Sequence, residues 1–263
     1  MSKSHIGVFD SGFGGLTVLK ALLEHLPAAD YSYFGDTARL PYGSKSAETV
    51  ARYAVEAARF LQARGATLLV VACNTATALA LPQIESGVGI PVLGVIEPGA
   101  ESAARLSKNQ RVVVIGTEAT VSSHAYQAAL SRRALKTFEK ACPLLVPLIE
   151  EGWVDHPITE QVARIYLDEA FGHDFSSADV LLLGCTHYPL IKPLLSRIVP
   201  ASVKIVDSAE ATAHGAAALN GEHAEGEAKI GFFVTDSVEK FRRLGARFLG
   251  RPIENVQHVD LRE

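Results

Sequence analysis

Dense basic runs are absent from this chain. Its 263 residues hold 25 lysines and arginines against 29 aspartates and glutamates, a formal net charge of −4, and the basic residues cluster no further than short pairs such as Arg132 and Arg133. Nucleic-acid binding leaves a footprint of clustered Lys and Arg, so no nucleic-acid partner is expected and small-molecule chemistry is. Cysteine is scarce too: Cys73, Cys142 and Cys185 make an odd, widely spaced set. That excludes the disulfide framework of a small secreted domain and suits a reducing compartment. With neither a Cys-x-x-Cys pair nor a paired histidine motif, no metal site is expected. No apolar run approaches the roughly 20 residues that a membrane helix needs. The opening MSKSHIGVFDSG passes from a few polar residues into a short strand, without the apolar stretch and cleavage site of a signal peptide. The expectation is a cytoplasmic protein with no membrane partner.

What is present is apolar and periodic. Hydrophobic residues make up 48% of the chain and charged residues 21%, enough for a sizeable core in one large domain or two small ones. Short apolar runs (IGVF, YSYF, LLVVA, VLGVI, VVVIG, VLLLG, KIVD, IGFFV) alternate with longer helical patterns. That alternation predicts βαβ units, an α/β fold and a mostly parallel sheet. Helices are expected near Leu16 to His25 and Ala47 to Ala63; in the second, Val50, Ala54, Ala57, Ala58 and Leu61 recur at helical spacing and Gly65 supplies the stop.

The chain also echoes itself. ATLLVVACN, from Ala66 to Asn74, aligns without gaps on ADVLLLGCT, from Ala178 to Thr186, and superimposes Cys73 on Cys185. Ahead of the two copies stand IGVFDS and VVVIGT, and after them VLGVIEP and VKIVDSA. Two related, doubly wound, mostly parallel lobes are expected, with a boundary near Pro98 to Ala100 and an active site in the cleft between them.

Each matched cysteine falls at the carboxyl end of a buried strand and ahead of a helix start, the edge where open α/β sheets bind ligands. Nearby helix N–H groups would lower a thiol there from its ordinary value of about 8.5. Cys142, in KACPLLVP, reads as packing. Two thiols facing one another would suit removal of a proton from one face of a carbon and its delivery to the other, which is racemisation. A redox-sensing binding module is an alternative; a cysteine hydrolase needs one nucleophile rather than two matched thiols. Asp10 and His187 are at hand to manage the protons. The turn VFDSGFGG has the free amide donors of a phosphate loop, but Asp10 at its mouth would repel phosphate. A ligand carrying both an ammonium and a carboxylate fits instead.

FDSGFGG, GDTARLPYG, VACNTAT and GCTHYPL, in that order, resemble the glutamate racemase family of the aspartate/glutamate racemase superfamily, over about Ile6 to Gly221. The resemblance implies a cofactor-independent enzyme that interconverts L- and D-glutamate and supplies D-glutamate for bacterial peptidoglycan, as a homodimer. It implies that Cys73 and Cys185 are the two acid/base residues, assisted by Asp10 and His187. Substrate contacts are implied for Asp10, Ser11, Tyr42, Gly43, Asn74, Thr75, Thr186 and His187. Asp36, Thr37, Thr117 and Thr120 are further candidates, and Glu150, beside Glu151, aligns with a family glutamate near the cleft. The family's lobe architecture implies one lobe of residues 1–98 completed by 207–263, and a second of 99–206.

Overall fold

The computed structural model describes residues 4–220 and 227–261; Gly221 and the expected domain ends at residues 1 and 263 lie outside them. In chain order the elements are β1 (His5–Asp10), α1 (Leu16–His25), β2 (Asp30–Gly35), α2 (Ala47–Ala63), β3 (Leu68–Val71), α3 (Asn74–Gly87), β4 (Val92–Gly94) and α4 (Ile96–Leu106). Next come β5 (Arg111–Gly116), α5 (Glu118–Ser122), α6 (Ala125–Ser131), β6 (Lys136–Ala141), α7 (Leu145–Glu150), α8 (Pro157–Ala170), β7 (Val180–Gly184), α9 (Lys192–Ile198) and β8 (Lys204–Asp207). The chain closes with α10 (Ser208–Asn220), β9 (Ile230–Val234), α11 (Val238–Leu249) and β10 (Val256–His258).

The strands form two all-parallel sheets, β10-β9-β2-β1-β3-β4 and β6-β5-β7-β8. The echo in the sequence is an echo in pairing. Ile6 lies opposite Leu68 as Val112 lies opposite Val180, and His5 lies opposite Asp30 as Arg111 lies opposite Lys136. The four-strand order β2-β1-β3-β4 thus recurs as β6-β5-β7-β8 in the same register.

Both sheets are covered on both faces, as parallel sheets must be. Leu68 and Val70 of β3 pack into one apolar cluster while Leu69 and Val71 pack into another. Val113 and Ile115 of β5 likewise face one way, and Val112 and Val114 the other. Each such Val, Ile or Leu contributes about 1.5–3 kcal/mol by leaving water. Helix α2 starts at Ser46, whose hydroxyl accepts the Thr49 N–H at 3.3 Å, buries the five apolar positions foreseen from its spacing, and is followed by Gly65 at φ +90°. The run VLGVI is a strand only over Val92–Gly94, because Ile96 already begins α4. Strands β6 and β10 carry no apolar run that would announce them.

Candidate active site

In each sheet the central pair of strands, β1/β3 and β5/β7, is the point where the strand order reverses direction. Connections leave such a point to opposite sides and open a crevice beyond the carboxyl ends. At the first reversal β1 ends in Asp10 and β3 leads to Cys73; at the second β5 leads to Thr117 and β7 to Cys185. Residues from both crevices line one cavity of about 440 Å³, including Ser11, Tyr42, Gly43, Cys73, Asn74, Thr75, Thr117, Glu150, Cys185, Thr186 and His187. Cys142 lines it as well.

Cys73 caps α3. Its sulfur accepts the Ala76 N–H and its thiol donates to Ser11 Oγ, both at 3.4 Å. The sequence suggested a thiol lowered by this helix start, and the structure corrects that. Burial, reinforced by the Asp10 charge, pushes Cys73 up to about 12, against the pull of Ser11 and the Ala76 N–H. Taking a thiolate out of water costs more than one helix terminus returns. Asp10 is itself buried, and burial raises its carboxyl above the ordinary value against the opposing pull of His187 and the Gly12, Gly15 and Ser11 N–H groups. Its Oδ2 accepts the Gly12 N–H at 2.8 Å, whereas its buried Oδ1 has no hydrogen-bond partner.

Across the cavity, Cys185 Sγ lies 3.9 Å from His187 Nδ1, and His187 Nε2 lies 3.2 Å from Glu150 Oε1. Burial alone would lower His187; the Cys185 sulfur and the Glu150 carboxylate outweigh it and raise the imidazole to about 10. Glu150 shifts the other way: burial favours its neutral form, but His187 and Lys240 hold it below the ordinary value.

The polar lining is oriented from behind. Tyr126 is buried and donates to Asn74 Oδ1 at 2.6 Å, which fixes the amide, while Asn74 Nδ2 is buried without a partner. Thr75 Oγ1 stands 3.0 Å from Thr117 Oγ1 and 3.3 Å from Thr120 Oγ1, a cluster closed by 2.9 Å between Thr117 and Thr120. Thr120 is buried and supports Thr75 and Thr117, both of which reach the cavity. Asp36 does not line the cavity. It is buried, accepts from Arg39 Nε with both of its oxygens, from Thr235 Oγ1 at 2.9 Å and from the Tyr42 hydroxyl at 2.5 Å, and so sets Tyr42 from below. Thr37 is tied to the Asp236 carbonyl and N–H at the base of the same loop. At Gly14 a Cβ would collide with Thr186 Oγ1 and stand 2.6 Å from His187 Nδ1, so only glycine lets the first crevice close on the second.

Sequence reading did not find Tyr126. Its partner Asn74 is far away in the chain, and locally it is one apolar position of a short helix. Cys142, read as packing, is buried in the apolar core and also borders the cavity.

Among known proteins, the family model described as Asp/Glu/Hydantoin racemase matches residues 6–216. The glutamate racemase of Koribacter versatilis is 57% identical over 282 aligned residues, covering 97% of each chain. A glutamate racemase isoform from Bacillus anthracis superimposes with a TM-score of 0.92 at 39% identity, over 98% of each chain. The Francisella tularensis glutamate racemase solved in complex with D-glutamate gives 0.91 at 36% identity, over 99% of each chain.

Proposed function

The chain belongs to the Asp/Glu/Hydantoin racemase family, and on that premise we propose that it interconverts L- and D-glutamate by passing the Cα proton between Cys73 and Cys185. The observation that carries this reading is that two thiols, at equivalent strand ends of a duplicated sheet, line one cavity. The two differ in their resting state. The reaction needs one thiol as acid and one sulfur as base: burial and Asp10 keep Cys73 a thiol, and Cys185, whose sulfur lies 3.9 Å from His187, takes the part of the base.

From that state Cys185 takes the proton from one face of Cα and Cys73 gives its own proton to the opposite face. The opposite enantiomer is released, leaving a Cys185 thiol and a Cys73 thiolate, the state from which the other enantiomer runs. His187 and Asp10 return protons between turnovers. The Cα proton is weakly acidic, and its removal puts a second negative charge on the carboxylate, so donors aimed at that group do most of the stabilising. The unpartnered Asn74 Nδ2, the Thr75, Thr117 and Thr186 hydroxyls, Ser11 and the first N–H groups of α3 suit that task. The free Asp10 Oδ1 suits the ammonium. Tyr42 and Gly43 complete the binding wall.

The reading extends to residues 1–98 with 207–263 as one lobe and 99–206 as the other, supported by β9 and β10 joining the sheet of β1 to β4. It extends further to a cytoplasmic homodimer supplying D-glutamate for peptidoglycan. No helix among the described residues is long and apolar enough to cross a membrane.

The test is incubation with L-glutamate in D2O, without added cofactor, following optical rotation and Cα deuterium together. Wild type is expected to racemise and deuterate in step. Absence of both with glutamate, alongside turnover of aspartate, would overturn the substrate assignment.

A further inference from the structure

Away from the cleft, helix α1 packs along α10 and ends on a cluster of three metal-ligating side chains. His25, the last residue of α1, places Nε2 2.9 Å from Glu210 Oε1, and His214 Nε2 lies 3.9 Å from the same oxygen. One donor atom from each residue lies within 4.8 Å of the others, and the two imidazole rings are 4.3 Å apart between centroids. We propose that His25, Glu210 and His214 form a binding site for a divalent ion of the zinc type.

Glu210 and His214 are one turn apart on α10 and share a face. His25 comes from the carboxyl end of α1, where the helix dipole favours a cation. Two imidazoles and a carboxylate suit zinc, cobalt, nickel or copper better than magnesium or calcium. Bonds of about 2.0–2.2 Å to a tetrahedral ion set its ligand atoms roughly 3.3–3.6 Å apart, a spacing bracketed by the present separations. The three side chains are 25%, 56% and 60% exposed, which leaves them free to make the small rotations needed and leaves the fourth position to water. No metal is expected from the sequence, because only Glu210 and His214 are near neighbours in the chain. An ion here joins α1, which follows the glycine-rich turn, to α10, which carries the chain from β8 of one sheet towards β9 of the other.

Thiols are good zinc ligands, so the titration uses chelator-treated protein with Cys73→Ser and Cys185→Ser, followed by calorimetry with zinc chloride. One equivalent is expected per chain. Outer-shell partners alone are worth roughly 10–100-fold in metal affinity, so His25→Ala and His214→Ala should each weaken binding by at least about tenfold. Cobalt absorption on the same Cys73→Ser, Cys185→Ser background gives a second reading: ligand-field bands are expected and are lost on adding His214→Ala, while His214→Ala with both cysteines intact racemises unchanged. Zinc binding that keeps its affinity in both histidine variants, or cobalt bands that persist in His214→Ala, would overturn the site, as would no zinc binding at all.

Discussion

Cys73 and Cys185 occupy the same place in two copies of one strand, yet their neighbours differ: burial and the Asp10 charge raise the first, and His187 stands beside the second. On the proposed two-base reading, replacing either thiol removes the acid or base for one face only. Cys73→Ser and Cys185→Ser are each expected to lower racemisation by about 10²–10⁴-fold, the usual worth of a positioned acid/base group. Cys73→Ser keeps Cys185 as the base of the proposed reaction, so it should wash deuterium into one enantiomer with retention and leave the other untouched. Nuclear magnetic resonance of both enantiomers in D2O reads this directly, and equal wash-in from both would sink the one-face assignment. Tyr126 acts through Asn74. Tyr126→Phe removes the 2.6 Å bond that orients the amide, and a neutral hydrogen bond is worth about 0.5–1.5 kcal/mol. kcat/KM for glutamate should therefore fall roughly 2- to 12-fold, through kcat more than KM, because Asn74 is aimed at charge that develops in the reaction; a rise in KM at constant kcat would contradict that role.

At the scale of elements, the turn between β1 and α1 must be bare because another strand's residues come down onto it. Gly14→Ala places a methyl against Thr186 Oγ1 and His187 Nδ1. Overpacking of this kind costs about 1–3 kcal/mol, so the variant should unfold at lower urea and lose most of its activity, whereas an alanine at Gly89, where the structure leaves open space, should do neither. This closeness explains what the sequence could and could not tell. Helices α1 and α2 begin and end where their apolar spacing placed them, since capping and periodicity are local. The duplicated strands were legible because a strand buried on both faces is written as a continuous apolar run. Strand β6, KTFEKA, was not, because an edge strand with none of its residues fully buried keeps its charges. Asp36 was legible as a polar loop residue but not as the support of Tyr42, and the raised Cys73 was missed because burial, which is tertiary, overrides the local helix start.

At the scale of the molecule, hydrogen bonds join the two sheets' residues around the cavity: Thr17 Oγ1 donates to the Thr186 carbonyl at 3.1 Å, Tyr126 to Asn74, and Thr75 meets Thr117. The ion pair of His187 and Glu150 adds a charged contact whose strength depends on pH, with Lys240 of α11 acting on the same carboxylate. His187 goes from an ordinary 6.5 to about 10 on folding, so the folded chain holds a proton that the unfolded chain releases. Its contribution is complete below 6.5 and is lost as pH rises through about 10. Glu150 is shifted down from 4.5, so its contribution is present above that value and is lost as pH falls through its folded value. The pair therefore stabilises most on a plateau between the two ordinary values. Cys73, held as a thiol up to about 12, well above its ordinary value, adds to the alkaline loss. Glu150→Gln should flatten both limbs, while Asp10 and Cys73, unchanged in that variant, drop out of the comparison. Urea unfolding midpoints measured from about pH 5 to 10 are expected to fall more steeply on the alkaline side for wild type than for Glu150→Gln. Parallel curves would mean that the pair is no tighter in the folded chain than in water.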